Sequence, residues 1–223
     1  MLQFVGLWPE GDSVYKLNFY AAYSFISTVL FITGHNFFQT MNIFFIYQDL
    51  EAMADTFFVT VTDLLVSVKI YFFVQNIGIL KKTMAVLDSA VFQPRNLKQI
   101  FLIQPNLKAW RVTYYLFGSV VTGTTIFWYV LPILDKSFRE HRLPFAAWYP
   151  YSIKVSPNYE LTYIYQMVCF AYICIATVGM DTVIAALMMF VGIQCDFLSD
   201  NLKNLKNVGD FNNSVIECVR HYR

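Results

Sequence analysis

The sequence predicts an all-α fold, a polytopic bundle of membrane-spanning helices, and three observations lead there. The chain of 223 residues is 57% hydrophobic and 18% aromatic. Only 14% of it is charged, against about 25% in ordinary soluble proteins. Its apolar residues gather into long stretches, and a bilayer core about 30 Å thick is crossed by roughly 20 helical residues. A soluble fold of this size needs more charge to cover its surface, whereas helices immersed in lipid do not. The net charge of +1 leaves no electrostatic footprint for nucleic acid, so the lipid bilayer is the expected medium and nucleic acid is not an expected partner.

Four segments qualify as spans of a single transmembrane domain. They run from about Leu17 to Tyr47, Ala52 to Leu80, Trp110 to Leu134 and Tyr159 to Leu198. The first and last exceed a minimal span, which predicts tilt or protrusion into water. Ahead of the first lie Glu10, Asp12 and Lys16, with neither a basic leader nor a small-residue cleavage site, so this segment is expected to insert and stay.

Lysine and arginine set the orientation. The second connection carries Lys81, Lys82, Arg95, Lys98, Lys108 and Arg111, while the first carries Asp49, Glu51 and Asp55 and no basic residue. The positive-inside bias then puts the second connection and both chain ends in the cytosol, with the first and third connections outside. Lys136, Arg139, Arg142 and Lys154 of the third connection run against this bias, partly offset by Asp135 and Glu140. The sequon Asn212-Asn213-Ser214 falls in the cytosolic tail, where no glycan is added.

The second span divides into three faces at 100° per residue. Val61, Leu64, Val68, Tyr71, Phe72 and Gln75 fall within about 100° of one another. Thr62, Lys69 and Asn76 make a second stripe, and Asp63 with Ser67 a third, roughly opposite the aromatic one. Asp63 and Lys69 lie about 120° apart around the axis and about 9 Å apart along it, too far for a local pair. Comparable faces arise from Tyr114, Phe117, Val121, Thr124, Thr125 and Trp128 in the third span, and from Gln166, Cys169, Ile173, Thr177, Met180, Ile184 and Leu187 in the fourth. The intramembrane polar residues Asp63, Lys69 and Asp181 are functional candidates because charge is costly there. Asp181 reads equally well as an ordinary buried hydrogen-bonding group.

Enzymatic chemistry is not indicated. His35, His141 and His221 are dispersed over a span, a loop and a tail, and no nucleophile elbow or phosphate-binding glycine loop occurs. Cys169, Cys174, Cys195 and Cys218 lack the spacing of a disulfide framework or zinc site, so four free thiols are expected. No metal and no cofactor is expected.

Two loop motifs carry a family resemblance: Gly6-Leu7-Trp8-Pro9 before the first span, and Leu143-Pro144-Phe145-Ala146-Ala147-Trp148-Tyr149-Pro150 after the third. With Met180-Asp181-Thr182, Leu187 and Gln194 in the fourth span, their order resembles that of insect odorant receptors. The resemblance implies a seven-span subunit that binds small volatile odorants and gates a cation channel together with a shared co-receptor. It covers the first four helices, so the chain is expected to be a pore-less amino-terminal fragment. It also implies a plasma-membrane protein of a sensory dendrite with a cytosolic amino terminus. Positions matching the family's odorant pocket are Val68, Tyr71 and Phe72, then Val121, Thr124 and Trp128, then Met180 and Ile184. The alternatives are a gustatory receptor of the same superfamily and a four-span membrane transporter in which Asp63, Lys69 and Asp181 line a path.

Overall fold

The computed structural model describes residues 1–9, 18–46, 48, 50–89, 92–94, 97–136 and 141–204. Among the described residues the elements are helical: α1 (Phe19–Thr28), a π-helical turn (Val29–Thr33), α2 (Gly34–Phe45), α3 (Leu50–Gln75), α4 (Ile77–Leu87), α5 (Leu97–Leu134) and α6 (Asn158–Asn204). Leu17 and Tyr47, the limits expected for the first span, lie outside the described residues, as do Cys218, His221 and the sequon at Asn212.

Helix boundaries follow local chemistry. No glycine or proline interrupts Leu50–Gln75, so α3 runs unbroken until Asn76. There the Asn76 side-chain Nδ2 donates back to the Phe72 carbonyl at 2.8 Å. The Asn76 backbone amide donates to the same carbonyl at 3.1 Å, and α4 begins one residue later where a single helix to Leu80 was expected. Residues 97–109, expected to connect two spans, extend α5 by about three and a half turns. α6 follows Pro157, carries Glu160 in its first turn and Lys203 in its last, and so complements the helix dipole at both ends. By length and composition Ala52–Gln75, Leu97–Pro132 and Asn158–Lys203 are able to cross a membrane. The first expected span is occupied by α1, the π-turn and α2. In that turn the Gly34 amide donates to the Val29 carbonyl, and Tyr165 Oη of α6 donates to the Leu30 carbonyl at 2.8 Å.

The chain forms two compact units, Met1–Gly78 with Gly118–Met180, and Ile79–Phe117 with Asp181–Arg223. The first unit buries many polar side chains among its apolar ones and exposes large apolar ones. Ser24, Ser27, His35, Asn36, Gln39, Thr56, Thr60, Asp63, Thr162 and Gln166 are buried, while Phe25, Phe37, Phe44, Phe58 and Leu65 are exposed. That distribution suits lipid as solvent, because hydrocarbon tolerates exposed phenylalanine and forces polar groups to find one another. The amino-terminal residues 1–9 belong to this unit. Val5 and Leu7 are buried, Tyr172 donates to the Val5 carbonyl, and Ser24 Oγ donates to the Gly6 carbonyl at 2.5 Å. Gly6 has φ +73°, and a Cβ there would sit 2.8 Å from Ser24 Cα, so this position requires glycine on two counts.

In the second unit, the start of α5 meets the end of α6. Lys98 Nζ lies 2.6 Å from Asp200 Oδ1, Gln99 Nε2 donates to Asn201 Oδ1 at 2.9 Å, and Gln194 Nε2 donates to the Phe92 carbonyl at 3.2 Å. Ile193 and Phe197 are buried there.

Candidate functional site

A cavity of about 600 Å³ opens in the first unit, walled by Gln39 of α2, by Asp55, Thr56, Phe58 and Val59 of α3, by Trp128 of α5, and by Leu143, Pro144, Phe145 and Ala146 of the following loop. Its volume falls in the range of small-molecule sites, as does its mix of mostly apolar walls with a few polar groups.

The loop is held firmly enough to serve as a wall. Gln166 of α6 brackets the Phe145 backbone, its Oε1 accepting from the Phe145 amide at 3.1 Å and its Nε2 donating to the Phe145 carbonyl at 2.9 Å. The Trp148 amide donates to the Phe38 carbonyl at 3.0 Å, and the Trp148 ring stacks on Phe45 with centroids 5.3 Å apart. Tyr149 is buried beside Gln166, whose Nε2 reaches its hydroxyl at 3.3 Å. Burial is the main cause of a phenol pKa raised above the ordinary tyrosine value, so Tyr149 stays a neutral anchor. The Phe145 ring stacks on Trp128 at 5.4 Å and lies 5.1 Å from Phe170. Offset aromatic pairs of this kind stabilise by about 0.5–1.5 kcal/mol beyond area burial.

One helical turn deeper lies a buried polar cluster. His35 Nε2 stands 3.8 Å from Asp63 Oδ2 and accepts from Gln39 Nε2 at 3.1 Å. The Gln39 side chain also faces the Asp63 carboxylate. Asn36 Nδ2 donates to Ser67 Oγ at 2.6 Å and to the Asp63 carbonyl at 3.3 Å. The His35 ring meets Phe145 edge-on at 5.9 Å, so the cluster touches the cavity wall through both Gln39 and Phe145. Three buried polar atoms here, His35 Nδ1, Asn36 Oδ1 and Gln39 Oε1, have no hydrogen-bond partner.

The expected ligand positions are distributed unevenly. Trp128 lines the cavity. Val68, Tyr71 and Phe72 sit on an exposed face of α3, 52%, 60% and 59% accessible, turned away from the inward Asp63 stripe. Val121 is half-buried and Thr124 exposed. Met180 is fully buried, next to Gly179, where an added Cβ would meet the Leu2 side chain at 2.7 Å. Ile184 and Asp181 belong to the second unit, and Lys69 is half-buried on α3. Cys169, Cys174 and Cys195 are free thiols. Sequence reasoning missed His35, Gln39, Phe145 and the start of α3 from Asp55 to Val59. The i, i+4 spacing of His35 and Gln39 was the one available sign that they share a face; their partner Asp63 lies on another helix.

Comparison with known proteins adds the family. The chain is 24% identical over 209 residues to Odorant receptor Or1 of Anopheles gambiae, an alignment covering 92% of this chain and 48% of that protein. The chain therefore spans about half the length of the curated relative it matches. No solved structure matches it significantly. The sequence model of the 7tm Odorant receptor family matches residues 49–223, which include α3, α5, α6 and most of the cavity wall. The chain belongs to the 7tm odorant receptor family of insects.

Proposed function

We propose that this chain is the ligand-binding portion of an odorant receptor subunit that, assembled with a co-receptor, opens a cation channel in the plasma membrane of a sensory neuron. The observation that carries the reading is the 600 Å³ cavity with Trp128, Phe145 and Phe58 in its wall. A volatile ligand offers dispersion, ring contacts and one or two hydrogen bonds, and such a wall matches all three. With the amino terminus cytosolic, the first and third connections face outside, and the cavity opens between them toward the side from which odorants arrive. Occupancy shifts the channel only through a difference in affinity between its open and closed states. Trp128 is the residue common to this cavity and to the positions expected from the family. Val68, Tyr71 and Phe72 form a second ligand-contact surface, on the lipid-facing side of α3.

The test is odorant-evoked current from cells expressing the receptor that carries this chain together with the co-receptor. Trp128→Ala is expected to raise the half-maximal concentration of ring-bearing volatiles by about tenfold or more, since a buried aromatic contributes roughly 1.5–3 kcal/mol. Tyr71→Ala and Phe72→Ala should alter the ranking of volatiles. Full-sized currents with unchanged ranking and sensitivity in Trp128→Ala would remove the cavity from the mechanism.

A further inference from the structure

The chemical character of the cavity goes beyond a general odorant pocket. Among its ten lining residues the charged one is Asp55, and no lysine, arginine or histidine joins it. Gln39 is 1% accessible and still lines the cavity. Its amide nitrogen donates to His35 Nε2 at 3.1 Å, while its Oε1 has no partner. The amide therefore keeps an open acceptor. The remaining polar side chain, Thr56, spends its hydroxyl proton on the Ala52 carbonyl at 2.8 Å, leaving a lone pair there too. The stacked rings of Trp128 and Phe145 belong to the same wall, and aromatic rings are attractive to cations. A carboxylate, two acceptor oxygens and stacked aromatic rings together complement a donor-bearing cation.

We propose that this cavity selects small organic amines in their ammonium form, with Asp55 as counter-ion, Gln39 Oε1 as hydrogen-bond acceptor and Trp128 and Phe145 against the apolar body. The proposal rests on the reading that the cavity takes a small volatile ligand. It makes Asp55 and Gln39 determinants of ligand class, whereas Trp128 serves amines and neutral volatiles alike. Charge-assisted hydrogen bonds are roughly twice as strong as neutral ones, so the selectivity arises at Asp55.

Three ligands of nearly equal shape separate the contributions: benzylamine, benzyl alcohol and toluene. Their binding to the chain in phosphatidylcholine nanodiscs is followed by tryptophan fluorescence at neutral pH, with empty nanodiscs subtracted for partitioning. Benzylamine is expected to bind about tenfold tighter than toluene, with benzyl alcohol between them. Asp55→Asn should remove most of the amine's advantage and leave toluene unchanged. Gln39→Leu should weaken the amine and the alcohol together, and a chain that keeps its toluene affinity in that variant is folded. Equal binding of all three, or an amine affinity indifferent to Asp55→Asn, overturns the amine proposal while leaving the cavity as an odorant site. Binding of none of the three, or binding unmoved by Trp128→Ala, overturns both.

Discussion

At the residue scale, Asp63 shows what a charge inside an apolar helix needs. Its carboxylate faces His35 and Gln39, and its carbonyl accepts from Asn36 at 3.3 Å. Replacing Asp63 by leucine keeps the carbonyl that Asn36 uses but removes the carboxylate that His35 and Gln39 face in a buried site, a loss of about 1–3 kcal/mol. Asp63→Leu is therefore expected to unfold at markedly lower temperature in detergent, with Asp63→Asn recovering most of the loss because an amide still answers Gln39. Equal thermal stability of the two variants would show that the cluster is not a structural unit. Gly6 poses a backbone requirement instead. A left-handed conformation at φ +73° with Ser24 Cα 2.8 Å from a new Cβ makes Gly6→Ala destabilising by about 1–3 kcal/mol. The expected sign is faster proteolysis of the amino-terminal segment, since its anchors at Tyr172 and Ser24 depend on that turn.

At the element scale, the loop from Leu143 to Pro150 behaves as part of the core although it is not helical. Backbone groups in a loop must be paired when buried, and Gln166 supplies both bonds for Phe145 at 3.1 and 2.9 Å. Gln166→Leu keeps the volume and removes both. Amide exchange at Phe145 is expected to accelerate by tenfold or more, an effect equivalent to about 1.4 kcal/mol or more, while exchange in α3 stays unchanged. The same substitution should weaken ligands at Trp128, because the ring of Phe145 stacks there at 5.4 Å. The π-turn has a related logic. Its extra residue rotates α2 by about 100° relative to a continuous α-helix, and α2 buries His35, Asn36 and Gln39. Tyr165 satisfies a carbonyl in that turn.

At the scale of the whole molecule, the two units rely on different interactions. The first is held by buried hydrogen bonds and stacked rings, the second in part by the Lys98 and Asp200 pair at 2.6 Å. Lys98 has a side chain 66% accessible, and exposed pairs of this sort contribute about 0–1 kcal/mol. A double-mutant cycle with Lys98→Ala and Asp200→Asn should thus return a coupling below about 1 kcal/mol that shrinks further in high salt. A larger, salt-independent coupling would mean that the pair is screened from water in the assembled receptor.

Composition and hydropathy by themselves determined that this chain is a helical membrane bundle, because low charge and long apolar stretches are properties of the sum, independent of who touches whom. Periodicity likewise separated the Asp63 stripe from the Tyr71 and Phe72 face, since a helix places its own residues by angle alone. The motif from Leu143 to Pro150 marked the family, yet nothing in its letters says that Gln166 clamps it over Trp128. Local patterns also placed the end of the second helix at Leu80, whereas α3 ends at Gln75 and a separate α4 runs from Ile77 to Leu87. Only the tertiary structure brought His35 and Gln39 to Asp63 and set Asp55, Thr56 and Phe58 around a cavity with Phe145. Those neighbours come from helices and a loop far apart in sequence, and their meeting is decided by packing and by the search of buried polar groups for partners in a medium that offers no water.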